Sequence, residues 1–216
     1  MQTRHPTGFT ARAFIALAFV LAMSPASLRA QSLEDKIGTA LQAKKPITRS
    51  LTVGVDPKAE AEKQVVDRLR TRGIAVEPTS APTADERAQI ADIARGKPAI
   101  DLEILFEYNS AEISPKAVPA LVALGNALSR QDLKGSVFFI NGHTDAAGSA
   151  DYNQSLSQRR ANSVRRVLIE QYKLAPDTLI AVGFGKEQLK NSGNPLADEN
   201  RRVQVVNTTV QATAGR

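Results

Sequence analysis

From residue 98 onwards the chain alternates between short strand patterns and longer helical patterns, and this alternation limits the folds it can adopt. Leu102, Ile104 and Phe106 alternate with charged or outward-facing positions, which is typical of a half-buried strand. The later patterns are a helix opened by Ser-Pro, a strand over 137–140, a helix over about 153–172, and strands over 178–182 and 203–206. The order β-α-β-α-β-β predicts an α+β fold of two layers, in which helices cover one side of a mixed four-stranded sheet.

The first of these helices is expected to bury one apolar face. Ser114 is the predicted N-cap, and Pro115 is the predicted first helical residue. Pro119 falls in the second turn, so the helix should start late or kink at that point. The expected apolar face consists of Val118, Leu121, Val122 and Leu128.

The first thirty residues have the layout of a cleavable secretory signal peptide. Arg4 and Arg12 precede an apolar run over 13–23, and small residues lead to a plausible cut after Ala30. The apolar run has about 11 residues, whereas a membrane-spanning helix needs about 20, so a cleaved leader is favoured over an anchor. We therefore expect a location in the periplasm or cell envelope, with association with the outer membrane left open.

Charge and cysteine content exclude several classes of protein. The formal net charge of +6 falls to about +3 once the leader is removed, because Arg4, Arg12 and Arg29 leave with no acidic residue. So small a surplus, with few aromatic residues, argues against nucleic-acid binding. The chain has no cysteine. We therefore expect an exported fold that relies on its hydrophobic core, without disulfides, thiolate metal sites or a lipidated N-terminal cysteine.

Residues 31–97 are predicted to form a small helical extension or linker. A helix is expected over 57–72, where an Asp-Pro start and a glycine stop flank a modest apolar stripe. Thr83 and Glu86 form a capping-box pattern that opens a second helix. The stretch holds too few large apolar side chains for a core of its own. At the other end of the chain, residues 211–216 are predicted to be a flexible tail.

Arg160 is the most informative single residue, because it interrupts the apolar stripe of the long helix. At about 100° per residue, Leu156, Val164 and Leu168 share one face of this helix with Arg160. An uncompensated buried charge costs several kcal/mol, so either the guanidinium reaches solvent or an acidic group faces it. The second alternative predicts a pocket in which Arg160 pairs with a carboxylate and offers its planar fork to a ligand carboxylate.

Asp145 is the natural acidic partner of Arg160. It follows the second strand, in the loop between Gly142 and Gly148. Loops at the carboxyl ends of strands are where open α/β sheets bind ligands. Taken alone, however, the commoner interpretation of such a residue is a turn aspartate that accepts hydrogen bonds from nearby backbone amides.

Taken together and in order, these segments resemble the OmpA-like peptidoglycan-binding family, which also includes the domains of the Pal lipoproteins and of MotB. Residues 104–113 resemble the opening strand of the family and the turn after it. Residues 141–161, with NGHTD and LSQRRA, resemble its central signature. The segments VGFGK over 182–186 and NRRV over 200–203 resemble its closing motifs. The resemblance implies an OmpA-like domain over 98–210.

The resemblance also implies a function, namely non-catalytic binding of meso-diaminopimelate in the peptidoglycan stem peptide of a Gram-negative bacterium. By motif position, Asp145 and Arg160 match the two principal ligand-binding residues of the family. Four further positions match the supporting pocket: Asn109, Thr144, Asn153 and Leu156. The free end of diaminopimelate carries an ammonium and a carboxylate on one carbon, so its receptor needs one anion and one cation close together. No cofactor and no metal are implied.

Two other functions stay open at this point. The protein could be an envelope adaptor whose residues 31–97 recruit a protein partner, or a cell-wall hydrolase with His143 and Asp145 as catalytic groups. One histidine without other histidines or thiolates nearby is a poor zinc site, which weakens the hydrolase hypothesis. Arg201 and Arg202 could bind phosphate or glycan, although arginines beside an edge strand are more often structural ion-pair formers.

Overall fold

The computed structural model describes residues 25–42, 57–72, 81–107 and 109–209. The described helices are α1 (Pro25–Leu41), α2 (Pro57–Arg72), α3 (Ala84–Ala94), α4 (Val118–Leu128) and α5 (Ala150–Tyr172). The strands are β1 (Ala99–Leu102), β2 (Phe138–His143), β3 (Leu179–Gly185) and β4 (Val203–Asn207). Most of the predicted leader, over 1–24, and the predicted tail over 211–216 lie outside the described residues.

The four strands form one mixed sheet in the order β1-β4-β2-β3. β2 and β3 are parallel, whereas β4 runs antiparallel to both of its neighbours, β1 and β2. From β1 onwards the elements follow each other as β-α-β-α-β-β, so the predicted α+β fold with a mixed four-stranded sheet is confirmed. The antiparallel pairing of β2 with β4 brings the end of β2 beside the start of β4, with Gly142 opposite Val203.

The first strand lies earlier than its sequence pattern predicts. β1 ends at Leu102, the residue opposite Val203 at the start of β4, because β4 offers no further partner. Ile104 is nevertheless buried, and Phe106 forms an isolated antiparallel bridge with Ile113. The alternation over 102–106 therefore describes a chain that leaves the sheet and folds back over the core.

Local sequence signals set most helix ends. The predicted capping box is confirmed, since the Thr83 hydroxyl accepts from Glu86 N–H and the Glu86 carboxylate accepts from Thr83 N–H. Ser149 caps α5 by accepting from Tyr152 N–H at 3.2 Å. Ser114, in contrast, makes no side-chain cap, and it precedes a short turn of 3-10 helix over Pro115–Ala117. α4 then starts at Val118, so the expected late start is confirmed.

The buried face of α4 is also shifted around the helix relative to the predicted apolar face. Leu121 and Leu128 are buried as expected, whereas Val118 and Val122 remain 50% and 38% exposed. Leu124 is fully buried in their place. Residues 121, 124 and 128 follow the spacing of a single helical stripe, and Val118 and Val122 lie to one side of it.

One face of the sheet packs against α1, α4 and α5. This core is formed by alternate residues of the strands and by the apolar stripes of the three helices. Its fully buried members include Leu124, Ile140, Val164, Leu168 and Val205. The sequence predicted the α4 and α5 parts of this layer, whereas it did not predict α1.

The opposite face of the sheet is covered as well, by α2 and α3, which the sequence did not predict. Val66 and Leu69 of α2 and Ile90 and Ile93 of α3 are buried in a second cluster. The strand residues of this cluster are Val137, Phe139, Ile180, Val182, Phe184 and Val206. Within the described residues, α2 and α3 therefore share one core with the sheet and do not form a separate one.

α1 belongs to the same packed structure. Ile37 and Leu41 are fully buried against the face that carries α4, and Leu33 packs beside them. The Asn207 side chain donates to the Leu41 carbonyl at 2.9 Å, which joins the end of α1 to the end of β4. These packing residues all follow the predicted cut after Ala30, although α1 itself runs across it. None of the helices in the described ranges is long and apolar enough to cross a bilayer.

Glycines in β2 and β3 let α5 lie directly on the sheet. A Cβ atom at Gly142 would be 2.4 Å from the Ser157 carbonyl oxygen, and one at Gly183 would be 2.4 Å from the Gln158 backbone nitrogen. Both distances are far below van der Waals contact, so a side chain at either position would push the helix away. This close contact fixes the position of the α5 residues that point towards the end of β2.

Candidate functional site

The candidate site lies at the carboxyl end of β2, where three segments of chain meet the first half of α5. These segments are the return loop over 103–114, the loop over 144–149 and the loop over 198–202. A cavity of about 130 Å³ opens beside the end of β2, and its lining residues come from the first and third of these segments, from β2 and β4 and from α5; they include Phe106, His143, Arg160, Asp198 and Arg201. At about 30 Å³ for each water molecule, this space accommodates only a small polar group.

Arg160 forms one wall of this cavity. Its side chain is half-buried, and its guanidinium carbon lies 4.8 Å from the centroid of the Phe106 ring. Its Nε donates to the Ser110 carbonyl at 3.0 Å. Burial lowers the pKa of Arg160 from its ordinary value, and the nearby charge of Asp145 acts in the opposite direction. Within the described residues, the two terminal NH₂ groups of this guanidinium have no hydrogen-bond partner.

Asp145 does not pair with Arg160, so the expected direct ion pair between them is wrong. The Asp145 Oδ2 atom lies 2.8 Å from Arg201 Nη1, and its Oδ1 atom accepts from Ala147 N–H at 3.0 Å. The physical reason is the β2–β4 pairing, which carries Arg201 to the loop after β2. The turn interpretation of Asp145 holds in part, because one carboxylate oxygen does accept a backbone amide two residues later.

Two of the predicted supporting residues organise the loops around the cavity. Asn153 is buried and donates to the Ala147 carbonyl at 2.7 Å, and Ala147 in turn donates its N–H to Asp145. Asn109 is exposed, adopts a left-handed backbone with φ of 54°, and accepts a hydrogen bond from the Tyr152 hydroxyl. An asparagine tolerates this backbone better than most residues. Both amides therefore tie a loop of the site to the first turn of α5.

The other two predicted supporting residues, Thr144 and Leu156, are buried. Thr144 is buried, and its N–H donates to the Gly185 carbonyl at 2.9 Å, which connects the loop after β2 to the end of β3. Its hydroxyl is buried and has no partner among the described residues. Leu156 is buried one turn before Arg160 on α5. Of the predicted site residues, Arg160 lines the cavity, and Asp145 is joined to it through Arg201, which is another lining residue. The lining does not include the four predicted supporting residues.

Sequence reasoning missed Arg201 and Phe106 as members of the site. Arg201 was expected to form structural ion pairs, and it does so with Asp145 and Asp198. Its place beside the cavity follows from the pairing of β2 with β4, which no local pattern reveals. Phe106 was assigned to a strand, but its ring lies under the Arg160 guanidinium. Its position at the end of the apolar alternation was the one sequence signal that could have indicated this aromatic contact.

His143 is one of the lining residues of the cavity, but almost all of its surface is buried. It is 2% exposed, and its ring stacks on Phe184 with 5.5 Å between ring centroids. Burial, and next the positive charge of Arg202, lower the pKa of His143 to about 3. Both ring nitrogens are buried and have no hydrogen-bond partner within the described structure. The ring is therefore neutral at physiological pH, which is a poor state for general acid catalysis.

The comparisons with known proteins concern the part of the chain that carries this site. Residues 105–202 match the OmpA family. The peptidoglycan-associated lipoprotein of Pseudomonas aeruginosa is 38% identical over 104 residues, which cover 46% of this chain and 58% of that protein. Outer membrane protein A of Escherichia fergusonii is 36% identical over 104 residues, which cover 48% of this chain and 42% of that protein. The chain thus spans about half the length of these curated relatives.

Solved structures were matched as well. The crystal structure of the peptidoglycan-associated lipoprotein from Burkholderia pseudomallei is 26% identical, with a TM-score of 0.40, and the alignment covers 48% of this chain and 86% of that one. The family match in this chain begins just after β1 and ends just before β4, so it contains most of the residues that line the cavity. The family match and the identity to these relatives show that this part of the chain is an OmpA-like domain.

Proposed function

We propose that the OmpA-like domain binds peptidoglycan without catalysis, through the diaminopimelate of the stem peptide. Binding would tether the protein, or an envelope complex that contains it, to the cell wall. The family match supports the proposal, as does the name of the 38% identical relative, a peptidoglycan-associated lipoprotein. The predicted leader supports a location in the periplasm, where stem peptides are accessible.

The observation that carries the proposal is the state of Arg160. The guanidinium is held in place by Ser110 and Phe106, yet its terminal NH₂ groups have no partner among the described residues. A planar fork that is fixed at one end and free at the other suits a carboxylate, which accepts two parallel hydrogen bonds from it. The carboxylate at the free end of diaminopimelate is a ligand of this kind.

Asp145 supplies the opposite charge for the same ligand. Its carboxylate is partly exposed on the loop beside the cavity, and the amino group of the diaminopimelate centre is an ammonium at neutral pH. Hydrogen bonds to charged groups contribute about 1.5–3 kcal/mol each, so one stem peptide should bind with moderate affinity. A sacculus presents many stem peptides, and a tethered protein would be retained on it by avidity.

A wall hydrolase has less support from the same site. His143 is buried and stacked on Phe184, and burial lowers its pKa to about 3, so it is poorly suited to exchange protons with a substrate near neutral pH. In the parts of the chain that the structure describes, no group of three or more His, Cys, Asp or Glu residues could hold a metal ion. The arrangement of Arg160 and Asp145 favours binding of a zwitterion over bond cleavage.

An envelope adaptor also has less support than wall binding. The adaptor hypothesis gives residues 31–97 the task of recruiting a protein partner. The buried apolar side chains of α1, α2 and α3 pack against the domain itself, so these helices have a structural use. We propose that residues 31–97 form an extension that completes the cores around the OmpA-like domain, and that any partner is recruited through it only secondarily.

Co-sedimentation with purified diaminopimelate-type sacculi tests the proposed function. Arg160→Ala and Asp145→Asn should each abolish sedimentation with the sacculi while the circular-dichroism spectrum stays native. Arg159→Ala is the matched control, because Arg159 is the exposed neighbour on the same helix and contacts Ser155 rather than the cavity. Full sedimentation of both site variants would refute the proposal, and release of labelled muropeptides by the wild type would replace it with a hydrolase.

A further inference from the structure

Arg201 joins two acidic side chains at the candidate site, Asp145 and Asp198. Its Nη1 atom lies 2.8 Å from Asp145 Oδ2, and its Nη2 atom donates to Asp198. Its side chain is 43% exposed and lines the same cavity as Arg160. Both terminal nitrogens are thus occupied by carboxylates of the protein itself, whereas those of Arg160 have no partner within the described ranges.

We propose that Arg201 is the positioning residue of the site, which holds the Asp145 carboxylate in the orientation that receives the ammonium of the ligand. The inference rests on the proposed function and deepens it. It gives the two arginines different tasks. Arg160 binds the carboxylate of the zwitterion directly, and Arg201 acts on the ammonium only through Asp145.

The Asp145 carboxylate can bind Arg201 and a ligand ammonium at the same time. An ionised carboxylate has about four acceptor positions on its two oxygens. Ala147 N–H occupies one position on Oδ1, and Arg201 occupies one on Oδ2. One position on each oxygen therefore stays available to an ammonium donor. Because both oxygens are already anchored, the carboxylate cannot rotate freely, and less rotational freedom is lost when the ligand binds.

Asp198 completes the arrangement from the other side. It lies three residues before Arg201, at the start of the short turn over Asp198–Asn200, and it accepts from Nη2. With both ends of its fork occupied, the Arg201 guanidinium is fixed between two loops. The hydrogen bond to Asp145 is also the largest cause that raises the pKa of Arg201, so its charge is secure at every pH at which the domain would meet the wall.

The test is an affinity titration with the soluble tripeptide L-Ala-γ-D-Glu-meso-diaminopimelate, followed by nuclear magnetic resonance. Arg201→Gln should weaken binding by about tenfold, and Arg201→Lys should restore affinity to within about threefold of the wild type, because the lysine ammonium keeps the charge and can still donate to Asp145. Arg95→Gln is the control, since Arg95 is 81% exposed and pairs only with Asp92 among the described residues. It should leave the affinity unchanged.

A double-mutant cycle separates action through Asp145 from direct contact with the ligand. In an Asp145→Asn background, Arg201→Gln should add less than a twofold loss. If the losses of affinity from Asp145→Asn and Arg201→Gln multiply in the double variant, the positioning role is overturned. It is also overturned if the single Arg201→Gln variant binds like the wild type. If Arg160→Ala lowers the affinity while Arg201→Gln does not, the proposed function stands and only this inference fails. If the wild type does not bind the tripeptide, both fail.

Discussion

The guanidinium of Arg160 lies over the ring of Phe106, with 4.8 Å between its central carbon and the ring centroid. The ring comes from the return loop after β1, whereas Arg160 comes from the middle of α5. A cation over an aromatic face is stabilised by about 0.5–1 kcal/mol at partly exposed sites. The contact fixes the orientation of an arginine whose terminal donors have no partner among the described residues.

Replacement of the Phe106 ring should therefore weaken binding of the ligand without unfolding the domain. Phe106→Leu keeps an apolar side chain of similar reach but removes the π face, so we expect about a two- to fivefold loss of affinity for the diaminopimelate tripeptide. Phe106→Tyr keeps the ring and should bind like the wild type. Equal affinities of Phe106→Leu and the wild type would mean that Ser110 alone orients Arg160.

Acidification should destabilise the domain through His143. Burial lowers its pKa to about 3 in the folded state, whereas the unfolded chain has an ordinary value near 6.5. Between these values the unfolded chain binds a proton that the folded chain excludes, so the free energy of unfolding falls as the pH falls. The slope approaches about 1.4 kcal/mol per pH unit at its steepest.

Urea unfolding at about pH 7 and about pH 5 checks this slope. His143→Phe keeps a ring to stack on Phe184 and removes the titrating group, so its stability should depend less on pH than that of the wild type. Glu86, whose pKa is lowered to about 2 chiefly by the hydrogen bond from Arg72, acts in the same direction at lower pH in both proteins. Parallel curves for the two proteins would exclude His143 as the source.

The close approach of α5 to the sheet predicts a strong effect of a single methyl group. A Cβ at Gly183 would come within 2.4 Å of the Gln158 backbone nitrogen, and backbone atoms cannot move aside as a side-chain end can. Gly183→Ala should lower the free energy of unfolding by about 1–3 kcal/mol or more. A Cβ at Gly193 would meet only a side-chain oxygen of Asn191, at 3.4 Å. Gly193→Ala should therefore change the free energy of unfolding by less than about 0.5 kcal/mol. Similar midpoints in urea for the two variants would contradict the packing described above.

The contribution of α1 to the fold can be tested with one substitution. Ile37 is fully buried against the face that carries α4, so Ile37→Ala should cost about 2–5 kcal/mol of unfolding free energy. Lys36→Ala changes an exposed residue on the same helix and should be neutral within about 0.5 kcal/mol. If Ile37→Ala unfolds at the same urea concentration as the wild type, α1 does not belong to the cooperative unit.

Local features of this protein could be predicted from the sequence because they depend on neighbours in the chain. The capping box of Thr83 and Glu86 involves residues three apart, and its hydrogen bonds are present as expected. The place of Arg160 within an apolar stripe follows from helical periodicity alone. The strand and helix order needed only patterns of ten to twenty residues, and the family motifs lie within the same segments.

The features that could not be predicted depend on contacts between distant segments. Arg201 and Asp145 are 56 residues apart, and they meet only because β4 inserts antiparallel beside β2. The second helical layer was missed although a signal for it was present. The continuous apolar run over 137–140 places large side chains on both faces of β2, which is typical of a strand that is covered on both sides.

The position of β4 gives the candidate site a further property. β4 is the last strand in the chain, yet it lies in the interior of the sheet between β1 and β2, and Arg201 precedes it directly. A chain that has crossed a membrane only in part, or that has been cut before residue 201, lacks both the strand that closes the sheet and the cation that meets Asp145. Recognition of the wall, as proposed, is therefore a property of the finished polypeptide, and nascent or truncated forms should pass through the sacculus without being retained.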